Sequence, residues 1–214
     1  MSYRTWLFVL LAVFYATIFV DPSLGFSVTS SSLDAQMSPW HMGTWLLAIF
    51  AYLLPLWISD PYTFRDRRAG LVRRFFGFAV DFHVCFMLTA IPLVALTLLS
   101  ASVQTGEFRW HMEQTLANTW AASFGFMFSV ACLISLLAAP LAMNRRSVGQ
   151  VAFGYGLKAA NQLQFFRACG RLVIGFLTMC SGWISVPMAA TREDRRMWHD
   201  QMYDVYPLEV GDTL

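Results

Sequence analysis

Charged residues are scarce in this chain. Asp, Glu, Lys and Arg together make up 13% of its 214 residues, whereas hydrophobic residues make up 57%. Soluble domains carry roughly 25% charged residues, so the shortage of charge argues against an ordinary soluble domain. Long apolar windows separated by arginine-bearing connections predict a multi-pass membrane protein in contact with the lipid bilayer.

Cysteine is also sparse, and no motif pairs the cysteines. All four stand singly among apolar or membrane-edge residues, at Cys85, Cys132, Cys169 and Cys180. Without a CxxC pair or a paired Cys/His spacing, neither a disulfide framework nor a zinc site is expected. The chain also lacks the GxSxG, HExxH, P-loop and Rossmann glycine motifs. We therefore expect a protein that is not an enzyme, with no catalytic residue, no metal and no cofactor.

Lysine is almost absent, because fourteen of the fifteen basic residues are arginine and Lys158 is the exception. The arginines cluster in connections between apolar windows and are not interleaved with aromatics on a soluble face, so nucleic acid is not an expected partner. Short basic connections stay on the cytoplasmic side of a membrane. This pattern predicts a protein of the inner (cytoplasmic) membrane with a cytoplasmic N-terminus.

Four apolar windows come close to, or exceed, the length of about 20 residues that a helix needs to cross a bilayer. They are Trp6–Val20, Trp40–Ile58, Phe75–Leu99 and Trp120–Met143. The connections at 21–38 and 101–119 hold a single basic residue between them, Arg109, which places both outside. A cleaved signal peptide is the competing interpretation of the first window, and it ranks second because "VDPSLGFS" lacks a small-x-small cleavage pattern.

The last apolar stretch, Leu172–Ala190, has arginines on both sides, so a single crossing would put one basic flank outside. Gly175, Gly182 and Pro187 interrupt it. A re-entrant or interfacial helical hairpin keeps both flanks and the tail cytoplasmic, and five full spans with the tail outside are the alternative. The connection at 144–171 is interpreted as a segment along the membrane surface. The predicted fold is therefore an all-α polytopic membrane helix bundle with four full spans and a hairpin.

Small residues recur four positions apart in the fourth window, at Ala121, Gly125 and Ser129. Residues at this spacing share one helix face. A face of small side chains lets a second helix approach closely, so this face is a candidate for helix packing. A chance distribution in an alanine-rich helix is the alternative.

Asp81 lies inside the third window, and an aspartate near the bilayer centre costs about 2.5 to 3.5 kcal/mol. Arg74 precedes it by seven residues, which places it on nearly the same helix face but roughly 10 Å away along the axis. A second cation or a water chain is therefore a better partner for Asp81, and Arg171 is the first candidate. The group is interpreted either as an ion pair that locks helix packing or as a protonatable site on a proton or cation pathway.

Arg74 and Asp81, with Gly77 between them, resemble the first motif of the RDD family of bacterial multi-pass membrane proteins, which is named for one arginine and two aspartates. Further segments follow in the order of that family. They are "SVGQ" at 147–150 in the place of a Thr-x-Gly-Lys-like motif, Arg167 and Arg171 before a Gly-interrupted apolar stretch, and "RRMWHD" leading into Asp200. The resemblance implies that Asp200 is the second family aspartate.

The resemblance covers about residues 69–206 and departs from the family pattern at two places. Gln150 stands where the family has a lysine, and "DQMYDV" lacks the Gly-Thr that follows the second aspartate. The resemblance implies an RDD-like membrane domain with a cytoplasmic tail at 69–214. Two additional transmembrane helices and a cytoplasmic connection precede it at 1–68.

The tail is otherwise expected to behave as an ordinary charged surface. His199 is expected on the cytoplasmic surface near the arginine cluster. Asp200 and Asp204 lie four positions apart, so they can share a helix face and meet Arg195 or Arg196.

Three functions are compatible with these features. The one that the sequence favours is an accessory or assembly subunit of a larger membrane complex, working with other membrane-protein subunits or as a homo-oligomer; eight tryptophans and the compact size support it. The second is a cation/proton exchanger, which the family resemblance permits, with Asp81 as the carrier. The third is a cytoplasmic-face interaction module, in which arginine clusters that include Arg145 and Arg146 hold anionic lipid and the tail recruits a partner.

Overall fold

The computed structural model describes residues 3–28, 32–58, 63–115, 119–160, 163–180, 189–191, 193 and 196–211. Its helices are α1 Tyr3–Val20, α2 Trp40–Trp57, α3 Leu71–Thr105, α4 Thr119–Ala142, α5 Val148–Phe153, α6 Phe165–Cys180 and α7 Trp198–Met202. Among the described helices, the four from α1 to α4 are long and apolar enough to cross a membrane. The four predicted windows are confirmed as helices, with ends that differ by a few residues.

The helix α3 is longer than its predicted window. It has 35 residues and therefore measures roughly 50 Å at 1.5 Å per residue. Because the hydrocarbon core of a bilayer is about 30 Å thick, part of α3 lies outside it. The extra length brings the arginine-bearing start of this helix, with Arg73 and Arg74, into the folded region that contains the site described below.

The described chain is mostly helical, as predicted, but two small antiparallel sheets correct the expectation of helices alone. The strands are β1 Gly25–Val28, β2 Ser32–Gln36, β3 Thr63–Arg68, β4 His111–Thr115, β5 Tyr155–Ala159 and β6 Val205–Gly211. One sheet has the order β1-β2-β4 and the other β3-β6-β5. All six described strands are short and lie in connections or in the tail, where residues do not alternate cleanly between apolar and polar, which is why the sequence pattern did not reveal them.

The chain forms two compact units, each assembled from separate chain segments. Unit 1 comprises 1–7, 52–83 and 134–214, and unit 2 comprises 8–51 and 84–133. This grouping follows spatial contacts and differs from the division at residue 69. That division concerns the extent of the RDD-like region and stays a prediction.

Unit 2 joins the two connections that the sequence places outside. Residues of β2 pair with β4 in a register that runs from Ser32 opposite Thr115 to Gln36 opposite His111. Ala35 lies on β2, and Met37 follows this strand. Both belong to a buried apolar cluster that also contains three residues of α3, Ile91, Val94 and Leu98. The sheet is therefore anchored by burial of apolar side chains against a helix.

Unit 1 places the C-terminal strand between strands from two arginine-bearing connections. Residues of β6 pair with β5 from Tyr155 opposite Glu209 to Ala159 opposite Val205. On the other side β6 pairs with β3. The tail is thus an integral part of this unit and not a separate charged extension.

The segment at 144–171 packs into unit 1, and its predicted position along the membrane surface stays a prediction. Most of α5 is buried, and so is Tyr155 at the start of β5. In α6 the exposed side chains include Phe166, 84% exposed, Leu177, 61% exposed, and Arg167, whereas Arg171 is buried. Residues 181–188, which include Gly182 and Pro187, lie outside the described residues, so the hairpin stays a prediction.

Candidate functional site

Asp81 is held by the start of a short helix, and no arginine of the described residues pairs with it. Its carboxylate accepts a hydrogen bond from the Ser147 hydroxyl at 2.6 Å and from the Gly149 main-chain N–H at 2.7 Å. The first N–H groups of a helix have no partner within the helix and favour a negative charge nearby. The start of α5 therefore supplies the donors that make this carboxylate tolerable in an apolar helix.

Ser147 and Gln150 order the start of α5. Ser147 is the N-cap residue: its hydroxyl accepts from the Gln150 N–H, and the Gln150 side chain accepts from the Ser147 N–H, both at 3.4 Å. This reciprocal arrangement is a capping box. Gln150, which stands where the RDD family has a lysine, thus has a structural role in this chain.

Ser147→Ala is expected to destabilise the protein by about 1 to 2 kcal/mol, because it removes both the N-cap acceptor and one of the two donors to Asp81. Ser147→Thr, which keeps the hydroxyl, is the matched control and should retain most of the stability. Thermal unfolding of the detergent-purified protein measures both. Equal melting temperatures for Ser147→Ala and the wild type would show that the hydroxyl does not hold the carboxylate.

Two glycines allow α5 to approach α3 closely enough for these bonds. A Cβ added at Gly149 would lie 1.9 Å from the carbonyl oxygen of Gly77. A Cβ added at Gly77 would in turn lie 2.6 Å from the Tyr155 hydroxyl. At Gly149 main chain therefore packs on main chain, where only glycine fits, whereas at Gly77 an added Cβ would meet the buried Tyr155 side chain.

Asp200 is the centre of a buried ion-pair cluster. It lies on α7 and is fully buried, and its two carboxylate oxygens accept hydrogen bonds from Arg74 on α3 and Arg171 on α6. Burial by itself would raise the pKa of Asp200, but the two guanidinium groups outweigh it and hold that pKa well below the ordinary value. The cluster ties three helices together.

His199 lies beside this cluster and is buried, so its predicted place on the surface is wrong. Its Nδ1 lies 3.4 Å from the Thr178 hydroxyl and its Nε2 lies 3.5 Å from the Asp200 carboxylate. Burial, assisted by the positive charges of Arg171 and Arg74, lowers the pKa of His199 to about 4, although Asp200 opposes this shift. His199 is therefore neutral at pH 7.

His199 is expected to make stability depend on pH in mildly acidic solution. Its pKa falls from 6.5 in the unfolded chain to about 4 in the folded protein. The stability is therefore full above pH 6.5 and falls as the pH drops toward 4, by ~3 kcal/mol in total. Unfolding measured between pH 7.5 and 4 should show this slope in the wild type and a smaller slope in His199→Gln. Parallel curves would contradict it.

A cavity of about 550 Å³ in unit 1 adjoins both groups of contacts. Most of its wall is apolar and comes from α3, α4 and α6. Its polar lining residues are Arg74, Asp81, Ser147, Gln150, Tyr155, Arg171 and His199. The buried charges of this unit therefore meet an apolar space and are not exposed on an aqueous surface.

The structure brings together Arg74, Asp81, Arg171 and Asp200, the four charged residues singled out from the sequence, but it pairs them differently. The proposed partner of Asp81, Arg171, binds Asp200 instead. Asp200 was expected to meet Arg195 or Arg196 on a surface, yet it is fully buried. Among the described residues it is Asp204 that pairs with Arg196, at 3.2 Å, as expected.

The face of small residues on α4 lies partly within the described side chains. A Cβ added at Gly125 would be 3.7 Å from Leu93 of α3, an ordinary packing distance. Ser129 is half-buried. The side chain of Ala121 lies outside the described part of the chain, so the proposed face stays a prediction.

Sequence reasoning did not identify Ser147 and Gly149 as ligands of Asp81. One signal was available, because Ser147 followed three positions later by Gln150 is the pattern of a capping box. That pattern marks a helix start, but it does not reveal which distant carboxylate the helix start binds.

The fold and these contacts define a helical membrane protein with a buried charge cluster in one of its two units. Comparisons of the chain with models of known families, with curated proteins and with solved structures found no match.

Proposed function

We propose that this chain is a non-catalytic integral membrane protein that acts as an accessory or assembly subunit of a larger membrane complex. The observation that carries the proposal is that the buried carboxylates are bound by other groups of the same chain. Asp200 is bound by Arg74 and Arg171, and Asp81 is bound by Ser147 and Gly149. Such contacts fix the arrangement of helices, which is the task of a structural subunit.

Exposed apolar side chains and sheet edges offer surfaces for other subunits or for a second copy. Phe19, Trp57 and Val103 are large side chains that are more than two thirds exposed. Within the described residues, β1 and β4 form the edges of one sheet, and β3 and β5 form those of the other. Edge strands carry main-chain donors and acceptors that pair readily with another chain.

We place the protein in the inner membrane with both termini cytoplasmic, and two contacts support this topology. The Arg4 guanidinium, near the start of α1, donates to the carbonyl of Ala152 in α5 at 2.9 Å. The tail strand β6 pairs with β3 and β5 from the arginine-bearing connections. The N-terminal end, these connections and the tail thus gather in unit 1, as four full spans and a hairpin require.

Membership of the RDD family belongs to the same proposal. The segments that carry the resemblance are far apart in sequence, yet Arg74, Asp81, "SVGQ", Arg171 and Asp200 meet around one cavity in unit 1. A set of motifs that converges on one place is expected of a shared site, and not of chance similarity.

Purification of the affinity-tagged chain from native membranes in mild detergent tests the accessory role. The expected result is recovery of other membrane proteins in fixed stoichiometry, and loss of this recovery when exposed edge or apolar residues are changed. A variant of an exposed charged residue outside the strands, Glu107→Gln, serves as the control. A lone monomer on a sizing column, without cross-linked partners in native membranes, would contradict the proposal.

The cation/proton exchanger is retained as the alternative because Asp81 lines the cavity. This function predicts a pH-dependent cation flux in proteoliposomes that Asp81→Asn abolishes while the protein remains folded, and that the exposed-site variant Asp204→Asn leaves unchanged. Absence of flux with the wild type would remove this alternative.

Binding of anionic lipid at the cytoplasmic arginines is a third proposal, and only one of the two arginines named for it is exposed. Arg145 is exposed, whereas Arg146 is buried. Binding to anionic vesicles should therefore fall with salt and with Arg145→Gln. Binding that is indifferent to both would rule it out.

A further inference from the structure

Gln150 brings a hydrogen-bond donor to the cavity of unit 1 that the fold itself does not use. The residue is 7% exposed and lines this cavity. Its side-chain carbonyl oxygen accepts from the Ser147 N–H in the capping box, which fixes the amide plane. The NH₂ group at the other side of that plane has no hydrogen-bond acceptor among the described residues. A buried donor without an acceptor is costly, so an acceptor atom placed here would be stabilised.

A ligand in the cavity can reach this NH₂ group. The Nε of Arg171 is one of the described polar atoms that are fully enclosed without a partner, whereas the amide nitrogen of Gln150 is not. The Gln150 nitrogen has no partner and therefore keeps accessible surface. Since Gln150 lines the cavity, an oxygen atom of a bound molecule is the acceptor that fits.

The charges around the cavity balance one another. Arg74 and Arg171 line it, and Asp200 binds both of them. Asp81 is a second carboxylate and also lines the cavity. His199 is neutral at pH 7, because burial lowers its pKa to about 4. A charged ligand would add an unbalanced charge to a mostly apolar space, so these groups favour a neutral ligand.

The rim of the cavity is apolar and exposed. Val72, Phe75 and Phe76 of α3 and Phe176 of α6 line the cavity, and each is more than half exposed. The three residues of α3 lie three and four positions apart, so they share one helix face. Exposed apolar side chains near the start of a spanning helix adjoin lipid. The cavity, with a volume of about 550 Å³, is therefore accessible to molecules dissolved in the bilayer.

We propose that this cavity binds a neutral, lipid-soluble molecule that carries a carbonyl oxygen, either the ester of an acyl lipid or a quinone. The carbonyl oxygen accepts a hydrogen bond from the Gln150 NH₂ group, and the apolar part lies against Leu137, Leu141 and Phe176. Burial of CH₂ groups supplies most of the affinity, and the hydrogen bond distinguishes the ligand from a hydrocarbon. The inference does not rest on the accessory role proposed above.

Photo-cross-linking of the full chain in detergent tests this site. The probe is the methyl ester of a long-chain fatty acid with a diazirine in its chain, and mass spectrometry identifies the cross-linked peptides. The competitors are methyl oleate, a decyl-substituted benzoquinone, octadecene and oleate, compared at equal mole fractions in the micelle. We expect methyl oleate or the quinone to displace the probe about three- to tenfold more effectively than octadecene, which has no acceptor. The stronger of the two identifies the source of the carbonyl group, and oleate should displace less than its methyl ester.

Three variants locate the site. Gln150→Met removes the NH₂ group, and the preference for the carbonyl ligand over octadecene should fall to about one. It also removes the acceptor of the Ser147 N–H, but a merely structural effect would weaken both ligands alike and leave this ratio unchanged. Gln164→Met makes the same change at an exposed glutamine of unit 1 and should keep the wild-type ratio. Leu141→Trp fills the cavity and should weaken cross-linking by the probe.

Equal displacement by octadecene and both carbonyl compounds would overturn the recognition of a carbonyl group and show that water satisfies the amide. Stronger displacement by oleate than by its methyl ester would overturn the preference for a neutral ligand. Displaceable cross-links that persist unchanged in Leu141→Trp, or that lie only outside unit 1, would overturn the assignment to this cavity. If Gln150→Met does not fold, as judged by sizing and circular dichroism, the competitors on the wild type and the mapped cross-links decide the question.

Discussion

Asp200→Asn is expected to cause the largest loss of stability of any single charge change in this protein. The substitution keeps the shape of the side chain but removes the one negative charge that Arg74 and Arg171 share in a buried site. Removing one partner of a buried ion pair leaves an uncompensated charge and typically costs about 3 to 5 kcal/mol. Here two guanidinium groups lose the charge of Asp200, so we expect the upper end of that range or failure to accumulate in membranes.

Thermal or denaturant unfolding in detergent measures this effect, and two further variants interpret it. Asp204→Asn removes an exposed partner of Arg196 and should cost less than about 1 kcal/mol. A triple variant with Asp200→Leu, Arg74→Met and Arg171→Met replaces the whole cluster by apolar groups and should recover much of the stability. An Asp200→Asn protein as stable as the wild type would show that the cluster does not hold α3, α6 and α7 together.

The same variant should alter the response to strong acid. The pKa of Asp200 in the folded protein lies below its ordinary value of 3.8, so its stabilising contribution is full above that pH. It is lost as the pH falls further, through the folded pKa. Asp200→Asn lacks this loss, whereas the separate slope between pH 6.5 and 4 belongs to His199.

Gly149→Ala is the second change with a large expected effect. The added methyl group would lie 1.9 Å from the Gly77 carbonyl oxygen and 2.8 Å from the Gly77 Cα. Both are main-chain atoms of α3, so no side-chain rotation relieves the clash. The start of α5 must move away from α3, which stretches the 2.7 Å bond from the Gly149 N–H to Asp81. Overpacking typically costs about 1 to 3 kcal/mol, and the weakened bond to a buried carboxylate adds to that.

Gly43→Ala is the matched control for this prediction. Gly43 lies within α2 and an added Cβ there meets nothing within 4 Å. Alanine is favoured over glycine in helices by about 1 kcal/mol, so this variant should melt at the wild-type temperature or above it. If Gly149→Ala melted as Gly43→Ala does, the close approach of α5 to α3 would not be required for folding.

The spanning helices were the part of the fold that local sequence predicted best. Trp40–Trp57, for example, agrees with the predicted window to within one residue at its end. Hydropathy over about 20 residues is a sum over neighbours in the chain, so no knowledge of distant contacts is needed. The strands, in contrast, were not predicted from local sequence. Val205–Gly211 contains a proline and a glutamate, and its strand conformation depends on pairing with β3 and β5.

The candidate site was predicted as a set of residues but not as a set of contacts. Arg74, Asp81, Arg171 and Asp200 all occupy unit 1, yet the carboxylate assigned to the arginines was Asp81 and the observed one is Asp200. The bond from Arg74 to Asp200 joins residues 126 positions apart. The residues adjacent to each aspartate in the sequence do not indicate which of the two aspartates the guanidinium groups bind.

The sequence by itself determined that this is a membrane protein, where its apolar helices lie, and which few charged residues need an explanation, because scarcity of charge and length of apolar runs are local properties. Only the tertiary structure decided that Asp81 binds a helix start, that Asp200 is buried between two arginines, and that the tail completes a sheet. The physical reason is that buried charges take the partners that reach them in three dimensions. Helix starts and sheet edges provide such partners only after the chain has folded.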